Sequence, residues 1–467
     1  MTNPSNLLIQ RLIGIVGEKN VILEKSEKEH LSKDWTNIYT PSALAVVLPK
    51  DVNEVSLVMK ICHEHMYPVV PSGGRTGLAA GAVASKREIV LSLSRLNKII
   101  NVDPFGLTIE TEAGVTTQAL QEAAEQAGFF FPLDLAAKGS SQIGGNIATN
   151  AGGLKFIRYG GAREQVLGLE VVLANGEILD INSKLRKNNT GYDLKQIFIG
   201  SEGTLGIITK ATLKMVAKPV NFQLACLGLE SFSGILQLLR ECHLSGICLT
   251  AFEFFTKEAH EIVLKHFPKI KSPFQDKTEY YVLLEIESEV ASSDALESLL
   301  EKAFEQNIIL DGVMAQSKAE FDELWSLREN ITESIQADGH VYKNDIALPI
   351  DKLGVFIDEM LDVVNAADEN IKIILFGHIG DGNLHLNYIA SPTMDINEFR
   401  RAVKITQTRV FELLQKYRGS ISAEHGVGLI KKEDLHYSRT LKEILIMKDI
   451  KNIFDPFGIL NPGKIFS

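Results

Sequence analysis

Apolar residues recur at helical spacing from Leu7 to Val16, and a second helix is expected behind Asp51, running to about His65. Thr40 to Pro49 and Pro68 to Pro71 read as strands around that helix. Leu167 to Leu173 and Glu177 to Ile181 read as two more, joined by the turn pair Asn175-Gly176. The pattern changes at Pro219. Strands such as Gln223 to Leu229 and Tyr280 to Glu287 now alternate with helices such as Phe232 to Cys242 and Ser292 to Asn307, which predicts an α+β unit with an antiparallel sheet. A helix is expected over Asp322 to Ala337, and Val341 to Pro349 follows a strand pattern. Ile371 to Ile379 and Leu384 to Ile389 form a last strand pair around Gly380-Asp381-Gly382-Asn383. The turn predicts that Ile379 pairs with Leu384 and His378 with His385. Paired Cβ atoms lie roughly 4.5–5.5 Å apart on one face, and Asn387 joins that face two residues on.

A chain of 467 residues is too long for one ordinary core, so two or three domains are expected, with a boundary at Pro219. The net charge of −11 excludes a nucleic-acid footprint, though a local basic cleft for an acidic substrate is allowed. Cys62, Cys226, Cys242 and Cys248 have no CxxC spacing and read as buried thiols of a reducing compartment. Met1 to Lys19 lacks a signal-peptide pattern, and no apolar run approaches the ~18 residues of a membrane span. A cytoplasmic protein without a membrane span is therefore expected.

Three glycine-rich blocks change the picture. Ser72-Gly73-Gly74-Arg75-Thr76-Gly77-Leu78 follows a strand at once, a place where backbone N–H groups can approach a phosphate. It fits neither the Rossmann nor the P-loop signature, and a plain turn explains it equally well. Pro132 to Leu135 and Gly139 to Gly153 are poor in core residues and suited to lying along a flat ligand. Gly200 to Thr209 runs from a loop into a strand.

Four polar groups stand out in the second half. Arg328 and Thr332 are four apart, hence on one face of the expected helix; a solvated face is the bland alternative. Lys343 sits inside a strand pattern, where an exposed edge lysine would look the same. The hairpin carries His378, His385 and Asn387, and Ser422 to Gly428 places Glu424 beside His425 in a glycine-flanked loop. Two imidazoles and a carboxylate suit a divalent metal with open positions: Zn²⁺ first, Mn²⁺ or Fe²⁺ otherwise. The spacing is no local zinc motif such as HExxH.

At the glycine blocks the chain resembles FAD-dependent flavoproteins of the vanillyl-alcohol oxidase type. That resemblance implies an α+β fold with an FAD-binding domain and an α+β cap domain carrying an antiparallel sheet. Ser72, Gly73, Gly74, Arg75, Thr76, Gly77 and Leu78 would hold the FAD pyrophosphate. Pro132, Asp134, Gly139, Ser140, Ile143, Gly144, Gly145, Asn146, Thr149, Asn150 and Gly153 would line the cofactor, and the strand from Glu202 through Gly206 to Ile208 would meet the flavin. The first loop has Arg75 and no histidine, so non-covalent FAD is implied.

With the four polar groups added, the chain resembles the D-2-hydroxyglutarate branch of the FAD-dependent D-2-hydroxy-acid dehydrogenases, from about Trp35 to Pro462. The resemblance implies an FAD-binding domain over 1–218, a cap over 219–420, and a segment 421–467 that returns to the flavin domain through Asn461. It assigns His378, His385 and Glu424 to the metal and His425 to the catalytic base. Arg328, Thr332, Lys343 and Asn387 match the substrate-binding positions. The implied reaction oxidises D-2-hydroxyglutarate to 2-oxoglutarate, D-lactate or another D-2-hydroxy acid being the alternative substrate. Nothing resembles a nicotinamide site, so an electron-transfer flavoprotein or a quinone is the implied acceptor; a homodimer is allowed. From other classes, a metal-dependent hydrolase with structural glycine loops and a flavin-binding protein without turnover remain open.

Overall fold

The computed structural model describes residues 4–288, 294–366 and 371–466. They fall into two units: Met1–Gly153, Gly160–Lys218 and Glu424–Ser467 in the first, Leu154–Tyr159 and Pro219–Ala423 in the second.

In the first unit, Pro4–Val16 and Val52–Glu64 are helices, and the Asp51 carboxylate caps the second by accepting the Glu54 N–H at 3.0 Å. A four-stranded sheet runs in the order Val21–Ile22, Ala45–Val47, Ile89–Ser92, Val69–Ser72. Its last three strands are parallel and almost wholly buried, as a sheet covered on both faces requires. Only Ala45–Val47 of the expected Thr40 to Pro49 strand is extended. A five-stranded antiparallel sheet follows, ordered Ile99–Asp103, Thr108–Glu112, Ile207–Lys214, Val166–Val172, Ile178–Ile181. Its last two strands form the expected hairpin, closed by the Leu173 N–H on the Glu177 carbonyl at 2.9 Å. The expected strand from Glu202 is corrected: it begins at Ile207, because Gly200, Glu202 and Gly203 all have positive φ. The C-terminal segment is tied in by Leu460, which bridges to Val69, and by Lys451 Nζ, which donates to the Thr204 carbonyl at 2.6 Å.

The second unit is built on a seven-stranded antiparallel sheet, ordered Asp311–Met314, Asn221–Leu229, Tyr280–Ser288, Cys248–Thr256, Lys372–His378, Asn383–Ala390, His340–Ala347. Several boundaries differ from expectation. The helix expected over Asp322 to Ala337 is two, Lys318–Glu329 and Ile331–Asp338, broken at Asn330, whose side chain donates to the Ser326 carbonyl at 2.8 Å. Residues Leu154–Tyr159, expected in the first domain, belong to the second unit: Lys155 pairs with buried Glu285 and Arg158 with Glu287 at 2.6 Å. Ile421 to Ala423, expected with the C-terminal segment, also belong there, next to Ser420, whose N–H reaches the Ala347 carbonyl at 2.7 Å. Of the helix expected over Ser292 to Asn307, Ala295–Glu305 is helical and Ser292 lies outside the described residues.

The hairpin register is corrected as well. His378 pairs with Asn383 and Phe376 with His385, because the connection is Ile379 to Gly382, one residue earlier than the turn signal. Gly382 takes φ +80, and a Cβ there would sit 2.2 Å from the Leu348 carbonyl oxygen. Buried Ile379 anchors the turn in the core. The slip is two residues, so each side chain keeps its face.

Candidate active site

In the first unit, the Val69–Ser72 strand delivers the chain into the first glycine block. Gly74 lies so close to the second block that a Cβ would come within 2.1 Å of the Ser140 carbonyl oxygen. Ser72 Oγ and Gln142 Oε1 are buried and, among the described residues, have no hydrogen-bond partner. Gln142 Oε1 lies 3.5 Å from a Cβ built on Gly73. Unused buried polar atoms beside a glycine turn suit a polar ligand such as a pyrophosphate-bearing cofactor. Arg75 adopts φ +57 in this loop, and burial pulls its pKa down.

Several residues assigned to the cofactor also serve the scaffold. Asn146 Nδ2 donates to Thr117 Oγ1 at 2.7 Å, Thr149 Oγ1 to the Gly145 carbonyl at 3.0 Å, and Asn150 Oδ1 accepts from the Arg163 N–H at 3.0 Å. Gly206 packs where a Cβ would stand 2.5 Å from Val171. The Glu202 carboxylate turns to the C-terminal loop, accepting the N–H groups of Val427 and Gly428 at 2.7 and 2.8 Å. Burial raises its pKa against those two donors. Asn461 Nδ2 donates to the carbonyls of Gly81 and Glu202 at 2.9 and 2.7 Å, while its Oδ1 is buried without a described partner. Glu202 thus holds the loop that carries Glu424 and His425, both half-buried.

In the second unit, one face of the sheet carries a polar lane. Cross-strand pairing sets Lys343 against Asn387, Asp345 against His385, and Glu253 against His378. His378 Nδ1 is 2.6 Å from Glu253 Oε1, and His378 Nε2 is 3.2 Å from His385 Nε2. A tetrahedral Zn²⁺ bound by two imidazoles holds their nitrogens about 3.3 Å apart, so this pair fits as two ligands of one ion. His385 Nδ1 stands 3.9 Å from Asp345 Oδ1. Asp345 is fully buried and accepts from Asn383 Nδ2 at 2.8 Å and from the Ala423 N–H at 3.1 Å. Ala423 directly precedes Glu424 in the chain.

Arg328 is 7% exposed; its guanidinium pairs with Glu253 Oε2 at 3.0 Å and lies 4.5 Å from the centre of the Phe376 ring. Burial alone would raise the Glu253 pKa, but His378 and Arg328 hold it below the usual carboxylate range. Burial lowers the Lys343 pKa. Burial raises Asp381 to about 6, with His378 opposing. The expectation that Thr332 shares a helix face with Arg328 is corrected: Thr332 is exposed, on the helix after the break. Asn387 uses its Nδ2 on the Ile374 and His385 carbonyls, at 3.2 and 3.1 Å.

The sequence reading missed Glu253 and left Asp345 without a role. Glu253 carried a usable signal: it is the one charge in the apolar strand Cys248–Thr256.

The family of FAD linked oxidases matches the chain over 218–465 with its C-terminal domain, and a FAD binding domain matches 43–182. D-2-hydroxyglutarate dehydrogenase of Stutzerimonas stutzeri is 43% identical, with 100% of both chains covered. The mitochondrial D-2-hydroxyglutarate dehydrogenases of Arabidopsis thaliana and Bos taurus are each 39% identical, over 97% and 95% of this chain and 80% and 81% of theirs. Among solved structures, p-cresol methylhydroxylase superposes with a TM-score of 0.78 at 16% identity, over 100% of this chain and 97% of that one. Alkyldihydroxyacetonephosphate synthase gives 0.75 at 18%, over 99% and 86%. These two carry the fold alone, and it is the expected vanillyl-alcohol oxidase type. Among the described residues no helix is long and apolar enough to cross a membrane. With its C-terminal domain and full-length relatives in agreement, the chain belongs to the FAD-linked oxidase family, as an FAD-dependent oxidoreductase.

Proposed function

We propose that the protein oxidises D-2-hydroxyglutarate to 2-oxoglutarate and passes the electrons to an electron-transfer flavoprotein or a quinone. The names of its relatives support the substrate. The observation that carries the metal part is the 3.2 Å separation of the His378 and His385 Nε2 atoms. In this reading those two imidazoles and Glu424 hold a divalent ion, Zn²⁺ before Mn²⁺. FAD, held without a covalent bond, supplies the hydride acceptor, and the ion supplies a Lewis acid for the substrate hydroxyl. His425 takes the hydroxyl proton as general base. Arg328 keeps N–H groups beyond the one aimed at Glu253 and offers them to a substrate carboxylate. Lys343 and Asn387 contact the substrate's other polar end, and Thr332 adds a contact from its exposed position. A cytoplasmic location rests on the free thiols.

D-lactate is the second reading, and Lys343 separates the two, since only the dicarboxylate has a second anionic end. Lys343→Ala is expected to cut kcat/KM for 2-hydroxyglutarate on the order of tenfold more than for D-lactate. An equal loss for both would remove the charge argument. The direct test is anaerobic bleaching of the bound flavin by a panel of D- and L-hydroxy acids, with and without chelator. Bleaching by D-2-hydroxyglutarate that chelation abolishes supports the reading. Bleaching that survives complete metal removal sinks the metal part, and a purified protein without flavin absorbance sinks the whole.

A further inference from the structure

We propose that Glu253 is a positioning residue, whose single carboxylate sets the tautomer of His378 and seats Arg328. The inference rests on the metal reading above. Five side chains close a ring of contacts: Glu253 to His378 at 2.6 Å, His378 to His385 at 3.2 Å, the His385 ring to Phe376 at 4.9 Å, Phe376 to Arg328 at 4.5 Å, and Arg328 to Glu253 at 3.0 Å. The substrate arm and the metal arm of the proposed site therefore meet at one carboxylate.

Strand pairing places it there. Glu253 is the direct cross-strand partner of His378, so imidazole and carboxylate face each other whatever else binds. Glu253 is 1% exposed, in a strand that also buries Phe252, Phe254 and Phe255. A hydrophobic residue would suit that position at least as well for stability alone, since a buried ion pair is costly to desolvate. What the carboxylate does that no apolar group can is accept a hydrogen bond from His378 through one oxygen and pair with the Arg328 guanidinium through the other. A carboxylate only accepts, so Nδ1 of His378 must carry a proton, and in the neutral ring that a metal requires Nε2 then keeps its lone pair. That lone pair is the one beside His385 Nε2. The opposite tautomer would place a proton where a metal ligand is needed.

Glutamine at this position separates tautomer control from simple packing. Its amide has one accepting oxygen and one donating NH₂ group. The Arg328 guanidinium can only donate, so it takes the oxygen, and the NH₂ faces His378 Nδ1. The proton is then driven to Nε2. Removing the arginine as well lets the amide rotate and return its oxygen to Nδ1.

The experiment uses the FAD-loaded chain, stripped of metal and titrated with Zn²⁺ against a chromophoric chelator, the flavin spectrum reporting an intact fold. E253Q is expected to weaken Zn²⁺ binding about 10- to 100-fold. R328M with E253Q is expected to recover most of the affinity of R328M alone. Unchanged affinity in E253Q overturns the proposal, as does a loss that persists in the double variant, which would show a charge effect. Should E253Q fail to fold, ¹⁵N shifts of labelled histidines in the metal-free wild type decide the point. His378, assigned by its loss in H378Q, must appear protonated at Nδ1, and protonation at Nε2 overturns the proposal. A wild type that binds no Zn²⁺ at all overturns the metal reading, and this proposal with it.

Discussion

His260 gives a prediction whose size can be worked from the structure. It lies in the helix Lys257–His266, is 2% exposed, and its ring sits 4.5 Å from Tyr281 and 6.3 Å from Phe255. Among the described residues neither ring nitrogen has a hydrogen-bond partner. Burial lowers its pKa from 6.5 to about 4; Glu261 pulls the other way, and Lys277 adds to the lowering. The unfolded chain therefore takes up this proton first as the pH falls. Stability from the neutral ring is complete above about 6.5 and is lost progressively as the pH drops towards 4. The full shift corresponds to about 3 kcal/mol, and about 2 kcal/mol is already lost near pH 5. His260→Leu keeps an apolar side chain in the cluster and cannot titrate. Carboxylates titrate alike in both proteins, so the difference between them isolates the histidine. The assay is urea unfolding followed by Trp325, which shares this cluster, at pH 7 and pH 5. The variant should gain about 2 kcal/mol on the wild type between the two conditions. A gap that does not change with pH would show that the ring finds a partner or water when protonated, and the argument would fail.

Two further outcomes follow from close contacts in the first unit. Gly74→Ala drives a Cβ to within 2.1 Å of the Ser140 carbonyl oxygen, so the loops must part. The flavin-to-protein ratio after gel filtration should fall well below that of the wild type, and full retention would exclude the 73–78 loop from cofactor binding. Glu202→Ala strips the acceptor from the Val427 and Gly428 N–H groups and should cost on the order of 2–3 kcal/mol. A calorimetric scan should show a lower Tm for the flavin-bearing unit, with turnover falling further than substrate affinity as the His425 loop loosens. An unchanged Tm would mean that water replaces the carboxylate.

Legibility followed the range of the interaction. The Asp51 cap and the Asn175-Gly176 hairpin are decided within a few residues, and they stand where the pattern put them. The last hairpin shows the limit. Side-chain alternation placed His378, His385 and Asn387 on one face, and that survived a two-residue slip because the period of a strand is two. The register itself did not survive, since Gly382 and buried Ile379 chose a different turn. The helix through Arg328 and Thr332 failed for a similar reason, its pattern continuing across a break that Asn330 makes.

Glu253 and His378 are 125 positions apart, so no periodicity could announce their pairing. The same holds for Glu202 and Val427, 225 positions apart. What the sequence determined by itself was which residues are chemically able, and which face of each element they occupy, because both follow from local geometry. Only the tertiary structure decided their partners: one carboxylate beside both His378 and Arg328, and a glutamate whose carboxylate holds the C-terminal loop. Those choices depend on which strands come to lie side by side, and strand order is set by the burial of the whole sheet.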